Sequence, residues 1–532
     1  MSDTVMSEGI RLRSFGERAV LGEVDDLAAV LALHARLTAT LMPGVVDLVP
    51  AAATVLVVVD PATLPLATAR AWVAAAAADS AAQHPAAPPR TVEVPVVYDG
   101  DDLEVLAAEL GISAARLIAE HVAARWTVAF TGFAPGFGYL VSEEWPYDVP
   151  RRSRPRSRVP AGSVALAGRF SGAYPRATPG GWQLIGTTSA VLFDPDAAAP
   201  ALLRPGDAVR FVPGAASTSP TPARIAPSAP PPSRARDGGI RVLVPGLLAT
   251  VQDQGRTGAL AAGVAVSGAA DRAALRAANR LVGTAEHAAG IEVTMGGFRA
   301  VRDAAASADD LWFAIAGAWG AICLDGRALD PYAAHRWPAG AELAIDWFDH
   351  GARAYLAVRG GVVARSLFGS RASDTLAGLG PPPLRAGDVL EVGHDVFGPV
   401  PAADLRPWGP PAAELEITLA PGPRADRFVS LDPLFRQVWT VSAQADRVGI
   451  RLDGPPLVRA ERPDGTEELP SEGMLPGAIQ VPPDGRPVIL GPDGPVTGGY
   501  PVVAVVTDAD RDALGQARPG TRIRFRHTRG IL

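Results

Sequence analysis

The sequence predicts a mainly β protein built from several barrel-like units, with a small α+β unit at its N-terminus. Three observations carry this prediction. The 532 residues include 56 glycines and 51 prolines, which break the apolar stretches into short alternating runs. Apolar residues recur at helical spacing in only a few windows. A glycine turn feeding an alternating strand appears three times, at Leu203–Phe211, Leu384–Leu390 and Ala517–Phe525.

Residues 1–97 read as the α+β unit. A short strand closes at Val20-Leu21, and Leu27, Val30, Leu31, His34, Leu37 and Leu41 then form a helical stripe that Pro43-Gly44 ends. Val45–Val49 and Val55–Val59 are strands, Ala62–Asp79 is an alanine-rich helix, and Val92–Val97 is the closing strand. That order matches the split βαβ, ferredoxin-like arrangement. His84–Pro89 reads as the loop into the closing strand. Residues 98–213 read as a first barrel or sandwich with one helix, capped by Ser113 and stacking Leu117 on His121 and Ile118 on Val122. Residues 214–238 hold Pro, Ser, Ala and Thr with almost no large apolar residue, as a linker does. Residues 239–405 form the next β unit, with a helix from Asp271 to Val282 and Gly283 at its C′ position. A boundary near Pro401–Pro411 leaves 406–532 as the last barrel. Val159–Ala165 resembles Leu475–Val481, and Gly172-Ala173-Tyr174-Pro175 resembles Gly498-Gly499-Tyr500-Pro501, in the same order, which argues for related barrels.

Composition excludes several functions. A net charge of -7 argues against nucleic acid as a partner. A lone Cys323 forms no internal disulfide and points to a reducing cytoplasm. No charged leader precedes an apolar core at the N-terminus, and no apolar run reaches a membrane-spanning length. The sequence contains no lysine. That removes a phosphate-loop lysine, a Schiff-base lysine and any covalent biotin on this chain. Eight scattered histidines with no cysteine pair predict no metal site.

Four constellations could carry chemistry, and each also has a plain structural reading. Phe130–Leu140 clusters rings with three glycines and Pro135, and could place Phe133, Pro135, Gly136, Phe137 and Tyr139 on a ligand; it could equally be a turn with core aromatics. Arg151–Arg158, Tyr174, Trp182 and the Thr178–Thr187 run could hold an anion or form a solvated basic loop. Gln252-Asp253-Gln254-Gly255-Arg256 puts a carboxylate and a guanidinium three apart, for proton transfer and anion binding or for holding a loop. Glu472, Gln480, Asp493, Thr497 and Tyr500 are polar residues among apolar strands and need partners, whether a ligand or one another.

Together these stretches resemble a known pair of families. Arg11–Phe211 resembles the Kip-inhibitor family, also called the 5-oxoprolinase B subunit or allophanate hydrolase subunit 1. The resemblance rests on Met42-Pro43-Gly44-Val45, Gly132–Leu140, Val159–Gly168, Pro179–Gly186 and Pro205-Gly206-Asp207. Val244–Phe525 resembles the Kip-antagonist family, also called the 5-oxoprolinase C subunit or allophanate hydrolase subunit 2. Here the carriers are Pro245–Asp253, Ala278–Gly283, Arg353–Gly361, Gly369-Ser370-Arg371 and Gly498–Pro501. The resemblance implies cyclophilin-like β-barrels and a fusion of two subunits. It also implies work with a third, the 5-oxoprolinase A subunit, to open 5-oxoproline to glutamate with ATP, and with Mg, in the assembled enzyme. Alternatives are a biotin-dependent carboxyltransferase component of a urea-carboxylase-like enzyme, with biotin on another protein, and a binding module that regulates a histidine kinase. A homo-oligomer is left open.

The expected catalytic residues are Asp253, Arg256, Glu472 and Tyr500. The expected substrate-binding residues are Phe133, Pro135, Gly136, Phe137, Tyr139, Tyr174, Trp182, Gln252, Gln480 and Thr497. The sequence departs from the family pattern at Thr187, where an arginine is usual, around Ser373 and Asp374, and at Pro495, where the run to Tyr500 lacks a glutamine.

Overall fold

The computed structural model describes all residues except 1–4, 8, 80–89, 153, 155, 198, 215–238, 304–310, 403–408, 411, 413, 462–468 and 529–532. The predicted loop His84–Pro89 and all but the first residue of the predicted linker lie outside the described residues, as does much of the Pro401–Pro411 boundary.

The N-terminal sheet runs in the order Val5–Ser7, Ile10–Phe15, Ala19–Glu23, Thr54–Val59, Val45–Pro50. Ala19–Glu23 and Val45–Pro50 flank Thr54–Val59, each antiparallel to it, and helix Leu27–Ala39 connects them. This is the split βαβ that the periodicity predicts. The Asp26 carboxylate caps the helix by accepting from the Ala29 amide at 2.8 Å. Val30, Leu33 and Leu37 bury against Val55, Val57 and Val59, with Val73 of helix Leu66–Ala78 beside them.

The strand expected to complete this unit pairs elsewhere. Thr91–Val96 runs parallel to Ala208–Pro213, from Thr91 opposite Ala208 to Val96 opposite Pro213, in the next sheet. Its place beside Ala19–Glu23 is taken by Ile10–Phe15 through a tight hairpin. A short antiparallel closure costs less chain entropy than a return from a distant helix.

That next sheet has seven strands, from Gln183–Thr187 at one edge to Thr91–Val96 at the other. The two edges meet where Val97 and Thr187 exchange hydrogen bonds of 2.8 and 2.7 Å, which nearly closes a barrel. Helix Ala114–Ala123 plugs it, capped by Ser113 as predicted, with Leu117 and His121 facing inward. His121 is fully buried. Its ring nitrogens lie 2.8 Å from the Tyr98 hydroxyl and 2.9 Å from Ser171 Oγ, and the ring stacks on Phe211 with centroids 4.4 Å apart.

The third unit is two facing sheets rather than one ring: six strands including Ile240–Pro245 and Phe298–Arg302, and five including Leu248–Gln252 and His350–Val358. Val242, Val251, Ile291, Phe298, Leu343 and Leu356 fill the space between them. Helix Arg272–Leu281, capped by Asp271, packs Leu275, Ala278 and Leu281 on the outer face of the five-stranded sheet.

The last unit is a closed seven-stranded barrel. Its first strand, Glu414–Pro421, runs parallel to its last, Arg522–His527, as the first and last strands of the earlier barrel do. The two barrels share further detail. Ser163–Ala167 pairs with Gln183–Thr187 across a bulge after Val164, and Ala478–Gln480 pairs with Val502–Val506 across a bulge after Ile479. By this register Gly498-Gly499-Tyr500 occupies the place of Gly180-Gly181-Trp182. The sequence echo with Gly172–Pro175 therefore pairs the wrong segments, although the barrels do correspond.

Candidate active site

Strand Leu248–Gln252 delivers a turn, Asp253–Arg256, onto a segment of the same unit, Ser370–Thr375. Position 255 needs glycine, because φ is +91° and a side chain there would meet the backbone oxygens of Val266 and Ser267 at 2.8 Å. Asp253 Oδ1 accepts from the Gly255 amide (2.8 Å) and the Ser370 hydroxyl (2.7 Å), and Oδ2 accepts from the Arg371 amide (2.6 Å). Gln252 Nε2 donates to the Ser373 carbonyl (3.1 Å) and Thr250 Oγ1 (3.0 Å). Arg256 Nη2 donates to the Ala372 carbonyl.

The far end of the segment is held from the last barrel. Asp493 Oδ2 accepts from the amide (2.9 Å) and hydroxyl (2.7 Å) of Thr375. Arg447 grips the same carboxylate through two bonds of 2.9 Å and reaches Glu292 of the third unit at 2.6 Å. Burial alone would raise the Asp493 pKa, but the Arg447 guanidinium brings it below the ordinary carboxylate value. These bonds tie the two C-terminal units together.

Within this frame several buried polar atoms have no partner: Arg256 Nε and Nη1, Asp374 Oδ2, Ser373 Oγ and Arg176 Nη1. Asp374 is 3% exposed and Arg256 1%. Asp374 Oδ1 accepts from the Leu376 (2.9 Å) and Ala377 (2.7 Å) amides, which leaves Oδ2 free. Burial, and then the Asp493 charge, push the Asp374 pKa up to about 6, with Arg256 pulling the other way. Each unmatched group costs roughly 1–3 kcal/mol, so a ligand that satisfies them is favoured. Burial and charge thus drive the two carboxylates in opposite directions, Asp493 down and Asp374 up.

The other predicted residues fall into separate groups. The Phe133 amide donates to Thr497 Oγ1 at 3.1 Å, which brings two of them together across the halves. The Phe133 ring is 39% exposed. Pro135 and Gly136 are buried, and the Gly136 amide faces the Ala262 carbonyl at 3.5 Å. Phe137, Tyr139, Tyr174 and Trp182 form a buried ring cluster, with Phe137 centroids 5.0 to 5.3 Å from the other three. Burial raises the Tyr174 hydroxyl to about 12. These four rings are core, and only Phe133 presents a face.

Glu472 accepts from Arg424 Nε at 2.8 Å within a network that includes Glu23 and Arg13 of the N-terminal sheet. Its Oε2 has no partner, and burial raises its pKa. Gln480 Nε2 contacts Met474 Sδ (3.3 Å) and the carbonyl of Tyr500 (3.5 Å), whose side chain is half-exposed. Gln252, Asp253 and Arg256 thus converge on Ser370–Thr375, while Glu472, Gln480 and Tyr500 stand apart in the last barrel. Arg176 and Arg447 escaped the sequence reading, which held Asp374 only as a departure from the family pattern. The one signal for Asp374 was its place just after Gly369-Ser370-Arg371.

A cavity of about 130 Å³ opens on the other side of the turn, lined by Gln254, Thr257, Arg18, Arg272 and Arg511. All three arginines reach one oxygen of Asp508, at 3.1, 3.0 and 3.2 Å, so their charge already serves an ion-paired junction.

Comparison with known proteins fits this layout. Residues 10–203 match the model for the carboxyltransferase domain, subdomain C and D, and residues 262–527 match that for subdomain A and B. The 5-oxoprolinase C subunit of Escherichia coli K12 is 36% identical over 295 residues, 54% of this chain and 90% of that protein. The 5-oxoprolinase B subunit of Escherichia coli O157:H7 is 54% identical over 127 residues, 23% of this chain and 58% of that protein. Urea amidolyase of Lachancea kluyveri is 33% identical over 308 residues, 53% of this chain but 16% of that protein. A crystal structure of TTHA0988 superposes with a TM-score of 0.82 at 35% identity, covering 96% of this chain and 99% of that one. The chain belongs to the carboxyltransferase-domain family that includes the B and C subunits of 5-oxoprolinase and urea amidolyase.

Proposed function

We propose that this chain is the fused B and C component of an ATP-dependent 5-oxoprolinase, which opens the lactam of 5-oxoproline to glutamate together with the A subunit. One observation carries the reading: the free Asp374 oxygen and the free Arg256 nitrogens share a buried site, on a chain whose halves resemble the B and C subunits. Ring opening leaves the lactam nitrogen needing a proton. Asp374, poised at about 6, is the group to donate it. Asp253, with both oxygens engaged, is a positioning residue that holds Ser370 and Arg371.

Among the described residues no group of three or more His, Cys, Asp or Glu could hold a metal ion. The chain has no lysine to serve a phosphate loop. We assign nucleotide handling to the assembly with the A subunit. No helix among the described residues is long and apolar enough to cross a membrane, and a cytoplasmic setting suits an enzyme that uses ATP.

The test is 5-oxoproline consumption with ATP, measured for this chain with and without the A subunit. Turnover that needs both proteins supports the reading. No turnover with both, alongside urea carboxylation when a biotinylated carrier and biotin carboxylase are supplied, would replace it with the carboxyltransferase reading that the urea amidolyase similarity favours.

A further inference from the structure

A guanidinium group from each half of the chain interacts with the charge of Asp374. Arg256 comes from the third unit, on the turn after Leu248–Gln252. Arg176 comes from the N-terminal half, two residues beyond Tyr174, whose ring is locked in the aromatic cluster against Phe137. Both guanidinium groups flank the turn that follows Asp374. A side-chain carbon at Gly378 would touch Arg176 Nη2 at 3.6 Å, and one at Gly380 would touch Arg256 Nη2 at 3.4 Å.

Neither arginine is neutralised by a bidentate carboxylate. Arg256 spends Nη2 on a backbone carbonyl and leaves Nε and Nη1 unmatched, although it is 1% exposed. Arg176 Nη1 is buried and unmatched too. The acidic groups facing them are Asp374, whose free oxygen is itself unmatched, and, for Arg256, Asp253 and Asp493, which are already saturated by other donors. Burial lowers the pKa of both guanidinium groups, as expected where charge is held without a partner. By contrast, buried Arg447 is ion-paired with Asp493 and buried Arg424 with Glu472.

We infer that Arg176 and Arg256 form a two-armed cradle, one arm from each half of the chain, for the carboxylate of the substrate, and that Arg176 selects an anionic over a neutral lactam. A planar carboxylate accepts from two guanidinium groups at once, which supplies partners for the free nitrogens. The inference rests on 5-oxoproline being the substrate of this site. It adds that the N-terminal half supplies a specificity residue, so the site is incomplete in either half alone.

Calorimetric titration of the whole chain with 5-oxoproline, with the neutral lactam 2-pyrrolidinone and with inorganic phosphate tests it. The variants are Arg176→Gln and Arg176→Lys. Expected is 5-oxoproline binding that weakens at least tenfold in Arg176→Gln and partly recovers in Arg176→Lys, with 2-pyrrolidinone bound weakly and equally by all three proteins. Equal 5-oxoproline affinity in wild type and Arg176→Gln overturns the cradle. So does an absence of binding by any anion. Arg176-dependent binding of phosphate without 5-oxoproline binding keeps the cradle and instead overturns the choice of substrate. Unchanged thermal unfolding of Arg176→Gln separates lost recognition from lost folding.

Discussion

The amide of Phe133 donates to the hydroxyl of Thr497, 364 residues away, at 3.1 Å. The aromatic turn of the N-terminal barrel is thereby docked on the glycine-rich turn of the last barrel. The fit leaves no room beside it. A side-chain carbon on Gly132 would collide with Thr497 Oγ1, and the neighbouring Thr131 hydroxyl donates to the Ala261 carbonyl.

Gly132→Ala should therefore destabilise the chain by roughly 1–3 kcal/mol through overpacking. Thr497→Ala alone should cost about 1 kcal/mol for the lost bond. The double variant should recover part of the Gly132→Ala loss, because the smaller partner makes room. Urea unfolding of the four proteins checks this. Additive losses would mean that the two turns do not press on each other.

Asp253 should act through the segment it holds. Asp253→Asn keeps the shape but gives one oxygen site to an amide donor that faces the Ser370 hydroxyl or the Arg371 amide. A cost of about 2–4 kcal/mol is expected from weakened charge-assisted bonds. In an assay with the A subunit, kcat should fall while the pH profile keeps its shape. A profile that loses its alkaline limb in Asp253→Asn would make Asp253 the proton donor after all.

Much of this was legible in the sequence, for identifiable reasons. Capped helices could be read: Ser113 and Asp271, both visible as caps in the sequence, each accept from the amide three residues on. The Asp253–Arg256 turn could also be read, because both charged residues and the glycine lie within four positions. Thr91–Val96 shows what could not. Alternation fixes a strand but not its neighbour, and this one joined a sheet whose last strand lies more than a hundred residues away. Asp374 was opaque because its acidity depends on burial beside Asp493, a residue of another unit.

One relationship was hidden by a change of sign. Arg156 donates to Asp102 at 2.8 Å and stands opposite Gly180 in a two-stranded ribbon. At the matching place in the last barrel Glu472 stands opposite Gly498 and accepts from Arg424 at 2.8 Å. The two barrels keep the ion pair and exchange its charges, and a comparison of letters cannot find that.

His121 should make the chain acid-sensitive. Burial pushes its pKa down to about 3 from the ordinary 6.5, so the folded ring stays neutral where the unfolded one takes a proton. Stability is therefore full above about pH 6.5 and falls as pH drops toward 3. The loss is on the order of 2 kcal/mol by pH 5. Urea midpoints across this window should show the slope in the parent chain and a flatter line in His121→Gln. Equal slopes would mean that the buried ring accepts its proton in place.

Asp374 should do the reverse. Its pKa is raised from 3.8 to about 6, so the folded chain holds a proton there that the unfolded chain has released. Stability from this residue is lost as pH rises from about 4 through 6, and above that the ionised, poorly partnered carboxylate costs up to about 3 kcal/mol. Asp374→Asn removes the titration but keeps the shape, and its amide oxygen can still accept from the Leu376 and Ala377 amides. The variant should match the parent near pH 4, exceed it in stability by up to about 3 kcal/mol at pH 8, and lose most ring-opening activity with the A subunit. A residue kept only for packing would not trade stability against turnover in this way. Asp374→Asn with full activity, or with no pH-dependent gain in stability, would remove Asp374 from the proton-transfer role.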